Sequence, residues 1–261
     1  MELKVITQKA DVESDRAPLL FVHGACHAAW VWDEHFLPYF AAHGFDAHAV
    51  SLRGHGGSDG RETLRRASVA DYVSDVAQVA ASFTCPPVVI GHSLGGLVVQ
   101  KYLEKHDAPA AVLVAPSPVT GMIKSGIPIF LKHPLLFTKV ILTGDVLALY
   151  GTTRRAKEFL FSPTMDERKI ADYVKRLGQE SQRACFDMLL NLPRPARIKT
   201  PMLVLGAGED RVVLTSEIER TAQAYGADVK IFPGMAHDMM LEDDWEDVAS
   251  FMLEWLVAKG L

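Results

Sequence analysis

Ser93 stands at the centre of Gly91-His92-Ser93-Leu94-Gly95, after the apolar run Pro87-Val88-Val89-Ile90 and before Gly96-Leu97-Val98-Val99-Gln100-Lys101-Tyr102-Leu103. A buried strand, a serine between small residues and then a helix make a nucleophile elbow, in which the chain turns sharply and holds the hydroxyl clear of the sheet. The N-terminus of the following helix favours negative charge developing at that hydroxyl. The chemistry available is acyl transfer. A serine hydroxyl is a poor nucleophile at neutral pH, so it needs an imidazole to take its proton and a carboxylate to orient that imidazole.

Both groups follow the serine in the chain. Asp210 lies in Gly206-Ala207-Gly208-Glu209-Asp210-Arg211, directly past the apolar run Pro201-Met202-Leu203-Val204-Leu205, and His237 lies in Phe232-Pro233-Gly234-Met235-Ala236-His237-Asp238. Taken singly, an aspartate after glycine is an ordinary turn or cap residue, and a loop histidine is ordinary surface. Their joint placement after Ser93 makes Asp210 the orienting acid and His237 the base, with Glu209 as the adjacent competitor for the acid. No acid follows the run Ala110–Ala115, where the chain reads Pro116-Ser117-Pro118. The tetrahedral intermediate also needs oxyanion donors, and backbone N–H groups of Leu94 and Ala25 are the candidates. Ala25 follows Phe21-Val22-His23-Gly24, where Gly24 permits a sharp turn.

The elements that must carry these groups alternate. Leu19–Val22 reads as a strand, Trp30–His43 as one helix stopped by Gly44, Phe45–Leu52 as a strand, and Arg53-Gly54-His55-Gly56-Gly57-Ser58-Asp59 as a loop. Ser68 with Asp71 is a capping-box-like start for a helix reaching about Ser82. After the elbow and its helix, Ala110–Ala115 is a further strand; Pro201–Gly206, Thr215–Tyr225, Asp228–Phe232 and Trp245–Lys259 continue as strand, helix, strand and helix. Such alternation predicts an α/β fold with a mostly parallel sheet and helices on both faces. Residues 116–199 hold prolines and helical apolar spacings but no convincing strand, so the chain divides into a core of 1–115 and 200–261 and a helical cap of 116–199.

Composition narrows the function classes. The 261 residues are 49% hydrophobic and 23% charged, with a net charge of −5, which gives no basic footprint for nucleic acid. Cys26, Cys85 and Cys185 lack metal-ligand spacing, the histidines form no H-E-x-x-H, and no Walker or Rossmann fingerprint occurs, so neither metal nor cofactor is expected. Met1–Lys9 alternates like an edge strand and resembles no secretory leader, so a cytoplasmic protein with reduced cysteines is expected, without stable membrane insertion. Whether it pairs as a homodimer is left open.

Val22-His23-Gly24, the Arg53–Ser58 loop, Gly91–Gly96, Gly208-Glu209-Asp210 and Gly234–His237 together resemble the α/β-hydrolase superfamily across nearly the whole chain outside the middle segment. The resemblance implies a mostly parallel sheet of eight strands, or seven because so little chain precedes Leu19. It also implies a Ser93–His237–Asp210 triad and an oxyanion hole from Ala25 and Leu94. Serine at the elbow argues against similarity to haloalkane dehalogenases and epoxide hydrolases, which use aspartate there. His23-Gly24-Ala25-Cys26-His27-Ala28-Ala29-Trp30 resembles plant methylesterases and hydroxynitrile lyases, but Gly24 and Asp238 stand where the lyases carry threonine and lysine. The Arg53-Gly54-His55-Gly56 loop is more similar to bacterial esterases, monoglyceride lipases and carbon–carbon bond hydrolases. The expected activity is hydrolysis of a small-molecule carboxylic ester with an apolar acyl or alcohol group. A carbon–carbon bond hydrolase and a non-catalytic ligand-binding protein are the alternatives.

The remaining singled-out residues take structural roles in this reading. His92 and His55 are packing or hydrogen-bonding residues, Cys26 is a small buried filler, and His27 and Trp30 are core residues that could also border the acyl pocket. The cap is rich in apolar residues from Met122, Ile127, Ile129, Phe130 and Leu131 through Leu135, Leu136, Phe137, Val140, Ile141, Leu142, Leu147, Leu149 and Tyr150 to Phe159, Leu160 and Phe161; most must pack the cap, and an unspecified few are expected to face Ser93 and the substrate. Arg154, Arg155 and Lys157 read as a solvated helix face.

Overall fold

The computed structural model describes residues 1–12 and 15–261. Its strands are β1 (Val5–Gln8), β2 (Leu19–Val22), β3 (Ala47–Val50), β4 (Val88–His92), β5 (Ala111–Val114), β6 (Met202–Ala207) and β7 (Asp228–Phe232). Among the described residues they form one seven-stranded sheet in the order β1-β3-β2-β4-β5-β6-β7. β1 pairs antiparallel with β3, and every other pairing is parallel. The four central strands β2, β4, β5 and β6 are buried along their whole length, because helices cover both faces of a parallel sheet. Among the described residues a single strand, β1, precedes β2, so the count is seven, the lower of the two expected.

The helices are α1 (Trp30–Asp33), α2 (Phe36–Ala42), α3 (Val69–Ala80), α4 (Leu94–Leu103), α5 (Ile123–Lys132), α6 (Pro134–Thr143), α7 (Leu147–Tyr150), α8 (Thr153–Phe159), α9 (Glu167–Arg176), α10 (Gln182–Leu190), α11 (Thr215–Tyr225) and α12 (Trp245–Ala258). The single helix expected over Trp30–His43 is two. Pro38 explains the break: in a continuous helix its ring would collide with the Glu34 carbonyl, whereas in the first turn of α2 it is tolerated. His35 leaves helical geometry at φ −141, and its ring stacks on Trp245 with centroids 4.6 Å apart. The strand expected over Phe45–Leu52 is confined to Ala47–Val50.

The capping box at the head of α3 is complete. Asp71 N donates to Ser68 Oγ at 3.2 Å, and Ser68 N donates to Asp71 Oδ2 at 2.8 Å. Arg53 is anchored by this helix, with its guanidinium 2.6 Å from Asp75 Oδ1 and 3.0 Å from Asp71 Oδ1. The chain between β5 and β6 contains α5 to α10 and a short 3₁₀ turn, Pro195–Arg197, but no strand. It packs on the loops past the carboxyl ends of β2 and β7, through Gly178 N to Cys26 O (2.8 Å) and Asp238 N to Leu160 O (2.9 Å).

Close approach dictates the glycines of the elbow. A Cβ on Gly91 would lie 2.4 Å from the Gly95 carbonyl oxygen, one on Gly95 2.4 Å from the His23 carbonyl oxygen, and one on Gly96 2.6 Å from Pro116 Cβ. Backbone cannot yield as a flexible side chain does, so Gly95→Ala is expected to destabilise the fold by about 3 kcal/mol. A thermal unfolding midpoint within a degree of the parent would contradict this account of the turn.

Candidate active site

Ser93 joins β4 to α4 in a conformation rare for a residue with a side chain, φ 50 and ψ −117. Three hydrogen bonds hold it there: Ser93 N to Val114 O at 3.1 Å, and Leu97 N and Ser117 N to Ser93 O at 3.3 and 2.9 Å. Strain of this kind persists only where the surroundings over-determine it. The loops after β6 and β7 then bring Asp210 and His237 to the serine. His237 Nε2 lies 3.0 Å from Ser93 Oγ, and His237 Nδ1 lies 2.8 Å from Asp210 Oδ2. Asp210 Oδ1 accepts from Val212 N and Val213 N at 2.7 and 2.8 Å, which fixes the carboxylate's rotation.

The proton positions follow from the partners. Asp210 accepts, so Nδ1 of His237 carries hydrogen and Nε2 faces the serine hydroxyl as an acceptor. Burial pushes the His237 pKa down, but the Asp210 charge and hydrogen bond outweigh it, so the net shift is upward. Glu209, the alternative acid, is solvent-exposed; its backbone N–H, not its carboxylate, reaches the histidine loop, at the Met235 carbonyl (2.8 Å).

Ala25 lies in the turn after β2. Gly24 is required for a different reason from the one expected: its φ is not left-handed, but a Cβ there would lie 2.7 Å from His92 Nδ1 and 3.0 Å from Ser93 Cβ. The left-handed residue of the turn is Cys26, at φ 66. The Gly24 carbonyl binds His23 Nδ1 at 2.8 Å and His27 N at 3.3 Å. In a trans peptide the N–H points opposite to the carbonyl, so these bonds turn the Ala25 N–H to the other side. Among the described residues, neither the Ala25 nor the Leu94 N–H donates to a protein acceptor.

Two buried carboxylates next to this turn were not legible as site residues. Asp238 is fully buried, with His27 Nε2 at 3.1 Å and His92 Nε2 at 3.7 Å. The second ring nitrogen of His27 faces the Ala25 carbonyl at 2.8 Å, and His92 Nε2 donates to the His237 carbonyl at 3.1 Å. Glu180, from the helical segment inserted between β5 and β6 (the insertion), accepts from Cys26 N at 3.2 Å and Tyr72 OH at 2.6 Å and lies 3.3 Å from His55 Nε2. An acid immediately after the catalytic-pattern histidine was the available signal for Asp238. Glu180 carried none, standing 154 positions from its partner. His92, His237 and Asp238 could offer ligand atoms within 4.8 Å of one another, but both His237 nitrogens are committed to Ser93 and Asp210.

An apolar cavity of about 490 Å³ lies within the insertion, lined by Met122, Ile127, Phe130, Phe137, Leu149 and Tyr150 among others, and by Val212 of the Asp210 loop. Trp30 instead stacks on Tyr173 with centroids 5.8 Å apart. Of the expected solvated face, Arg154 is exposed, while Arg155 and Lys157 are half-buried and engaged with the Ala148 carbonyl and Glu167.

Residues 19–251 match the sequence model of the alpha/beta hydrolase family. Monoacylglycerol lipase of Mycolicibacterium smegmatis is 25% identical, with 93% of this chain and 89% of that protein aligned. Methylesterase 2 of Arabidopsis thaliana is 26% identical over 71% of this chain and 69% of its own length. Among solved structures, a putative non-heme bromoperoxidase from Mycobacterium tuberculosis superposes with a TM-score of 0.79 at 20% identity, covering 99% of this chain and 97% of the other. No helix among the described residues is long and apolar enough to cross a membrane. With the match spanning all but the ends of the sequence, the chain belongs to the alpha/beta hydrolase family.

Proposed function

We propose that this protein hydrolyses carboxylic esters through an acyl-enzyme on Ser93, with His237 as base and acid and Asp210 as the orienting carboxylate. The observation that carries the reading is the continuous hydrogen-bonded line Ser93 Oγ to His237 Nε2 (3.0 Å) and His237 Nδ1 to Asp210 Oδ2 (2.8 Å). Relatives named as a monoacylglycerol lipase and a methylesterase support ester bonds as the target.

Ser93 Oγ attacks the ester carbonyl while its proton passes to His237 Nε2, and the carbonyl electron pair moves onto oxygen between the Ala25 and Leu94 N–H groups. Collapse of that intermediate breaks the bond to the alcohol, which leaves with the proton from His237. Water then attacks the acyl-enzyme, giving its proton to the same nitrogen, and the acid departs as Ser93 recovers its hydrogen. Water is the sole co-reactant.

The apolar cavity in the cap, residues 116–199, takes the acyl or alcohol chain. Ser93 is 9% exposed, so substrate enters as the cap moves. With aryl esters of graded acyl length, kcat/KM should rise about fourfold for each added methylene until the cavity is full, the worth of one buried CH₂. Equal turnover of acetate and hexanoate esters would contradict this pocket. Faster cleavage of vinylogous diketones than of any ester would favour carbon–carbon bond hydrolysis.

A further inference from the structure

The turn that presents Ala25 is held from the side of the insertion. Cys26 sits in the left-handed region, disfavoured for a residue with a Cβ, and two hydrogen bonds from residues 178–180 brace it. Its N–H donates to Glu180 Oε2 at 3.2 Å, and its carbonyl accepts from Gly178 N at 2.8 Å. Glu180 is itself over-determined. Its Oε1 accepts from Tyr72 OH and Ser181 N, both at 2.6 Å, while Oε2 lies 3.3 Å from His55 Nε2. His55 Nδ1 must donate to the Arg53 carbonyl, 3.0 Å away, so Nε2 needs a second proton to face the carboxylate. Burial disfavours the charge on Glu180, but His55 and these hydrogen bonds bring its pKa down to about 2.

We infer that Glu180 is a positioning residue for the oxyanion hole: by holding Cys26, the closed insertion aims the Ala25 N–H at the substrate carbonyl beside Ser93. The inference rests on the ester-hydrolase reading. A turn without these two braces lets Cys26 relax and the Ala25 N–H swing off the site, which leaves a nucleophile and base with half an oxyanion hole.

Four variants separate this role from a structural one, read by kcat, KM, thermal midpoint and the rate of Ser93 modification by a fluorophosphonate. Glu180→Met keeps volume and removes the acceptor; kcat should fall about 30-fold with KM within about threefold, somewhat less than loss of a whole oxyanion donor. Glu180→Gln, whose amide oxygen still accepts from Cys26 N, should recover most of that loss. Gly178→Pro deletes only the second brace: Leu177, at ψ 147, already has the backbone that precedes proline, and a Cβ at 178 meets nothing within 4 Å. Its kcat should fall about fivefold without a thermal shift, a partial loss of donor alignment. Asp187→Leu is the control, since Asp187 is another buried insertion carboxylate bonded to a core N–H, that of Val69 at 2.9 Å, away from the turn. It should lower the midpoint while kcat stays within about threefold of the parent.

Equal kcat losses in Glu180→Met and Asp187→Leu at matched stability, or unchanged kcat in Gly178→Pro, would overturn the inference. Gly178→Pro decides alone if Glu180→Met does not fold. The fluorophosphonate rate depends on the same hole but not on ester turnover, so a parent protein inactive on every ester would count against the proposed substrate class while the variants' labelling rates still judge Glu180.

Discussion

Ser93→Ala is expected to lower kcat on a preferred aryl ester by about 10⁶-fold, leaving only what the oxyanion donors and substrate binding supply. The size of the loss follows from what the hydroxyl does: without Oγ no acyl-enzyme forms, and water must attack directly in a site shaped for another nucleophile. Stability should barely change, because the methyl side chain fits the same elbow and the three backbone bonds that hold residue 93 remain. A variant that retained a tenth of the parental rate would remove Ser93 from the mechanism, whatever its geometry.

Asp210→Asn is the second large effect, a fall of about 10⁴-fold in kcat. An asparagine amide turned toward His237 Nδ1 donates where the carboxylate accepted, which favours the tautomer with hydrogen on Nε2, the wrong one for taking the serine proton. The sign of the accompanying pH change is also set. Burial pulls the His237 pKa down and Asp210 pushes it above its ordinary value of 6.5, so in the parent the acid limb of kcat/KM should fall above pH 6.5. Activity is lost as pH drops through that pKa and the base becomes protonated. Removing the Asp210 charge leaves burial as the main influence, so the limb of the variant's residual activity should move to lower pH. An unchanged limb, or a Glu209→Gln variant with the greater loss, would transfer the orienting role.

Local chemistry made the grouping of Ser93, His237 and Asp210 legible. Ser93, Asp210 and His237 each lie just past a strand, β4, β6 and β7 respectively, and runs such as Pro87–Ile90 and Pro201–Leu205 mark those strands plainly. In a parallel sheet the carboxyl ends of the strands lie together, so residues more than a hundred positions apart meet without any further signal. The break between α1 and α2 was also written in the chain, in Pro38, but the apolar spacing of Trp32, Phe36 and Phe40 suits one continuous helix and masked it. Gly24 shows the converse: the residue was right and the cause was a neighbour, His92, that a linear reading does not put beside it.

What stayed hidden is tertiary. Glu180 looks like any acid ahead of a helix cap, and Ser181 does cap α10 by accepting from Ala184 N at 3.2 Å. Only the folded chain puts the glutamate's carboxylate against Cys26 and His55. Asp238 is similar, since its meaning comes from His27 in the turn after β2 and His92 at the end of β4. Such groups have no periodicity and no fixed spacing from their partners.

The most direct test of the central claim is to treat the native protein with a fluorophosphonate and locate the adduct by peptide mass mapping. The account predicts one phosphonyl group on Ser93, formed with loss of ester turnover, and none when His237 is replaced by alanine or Ser93 by alanine. An unlabelled protein, or an adduct on any other residue that accompanies loss of activity, would contradict it.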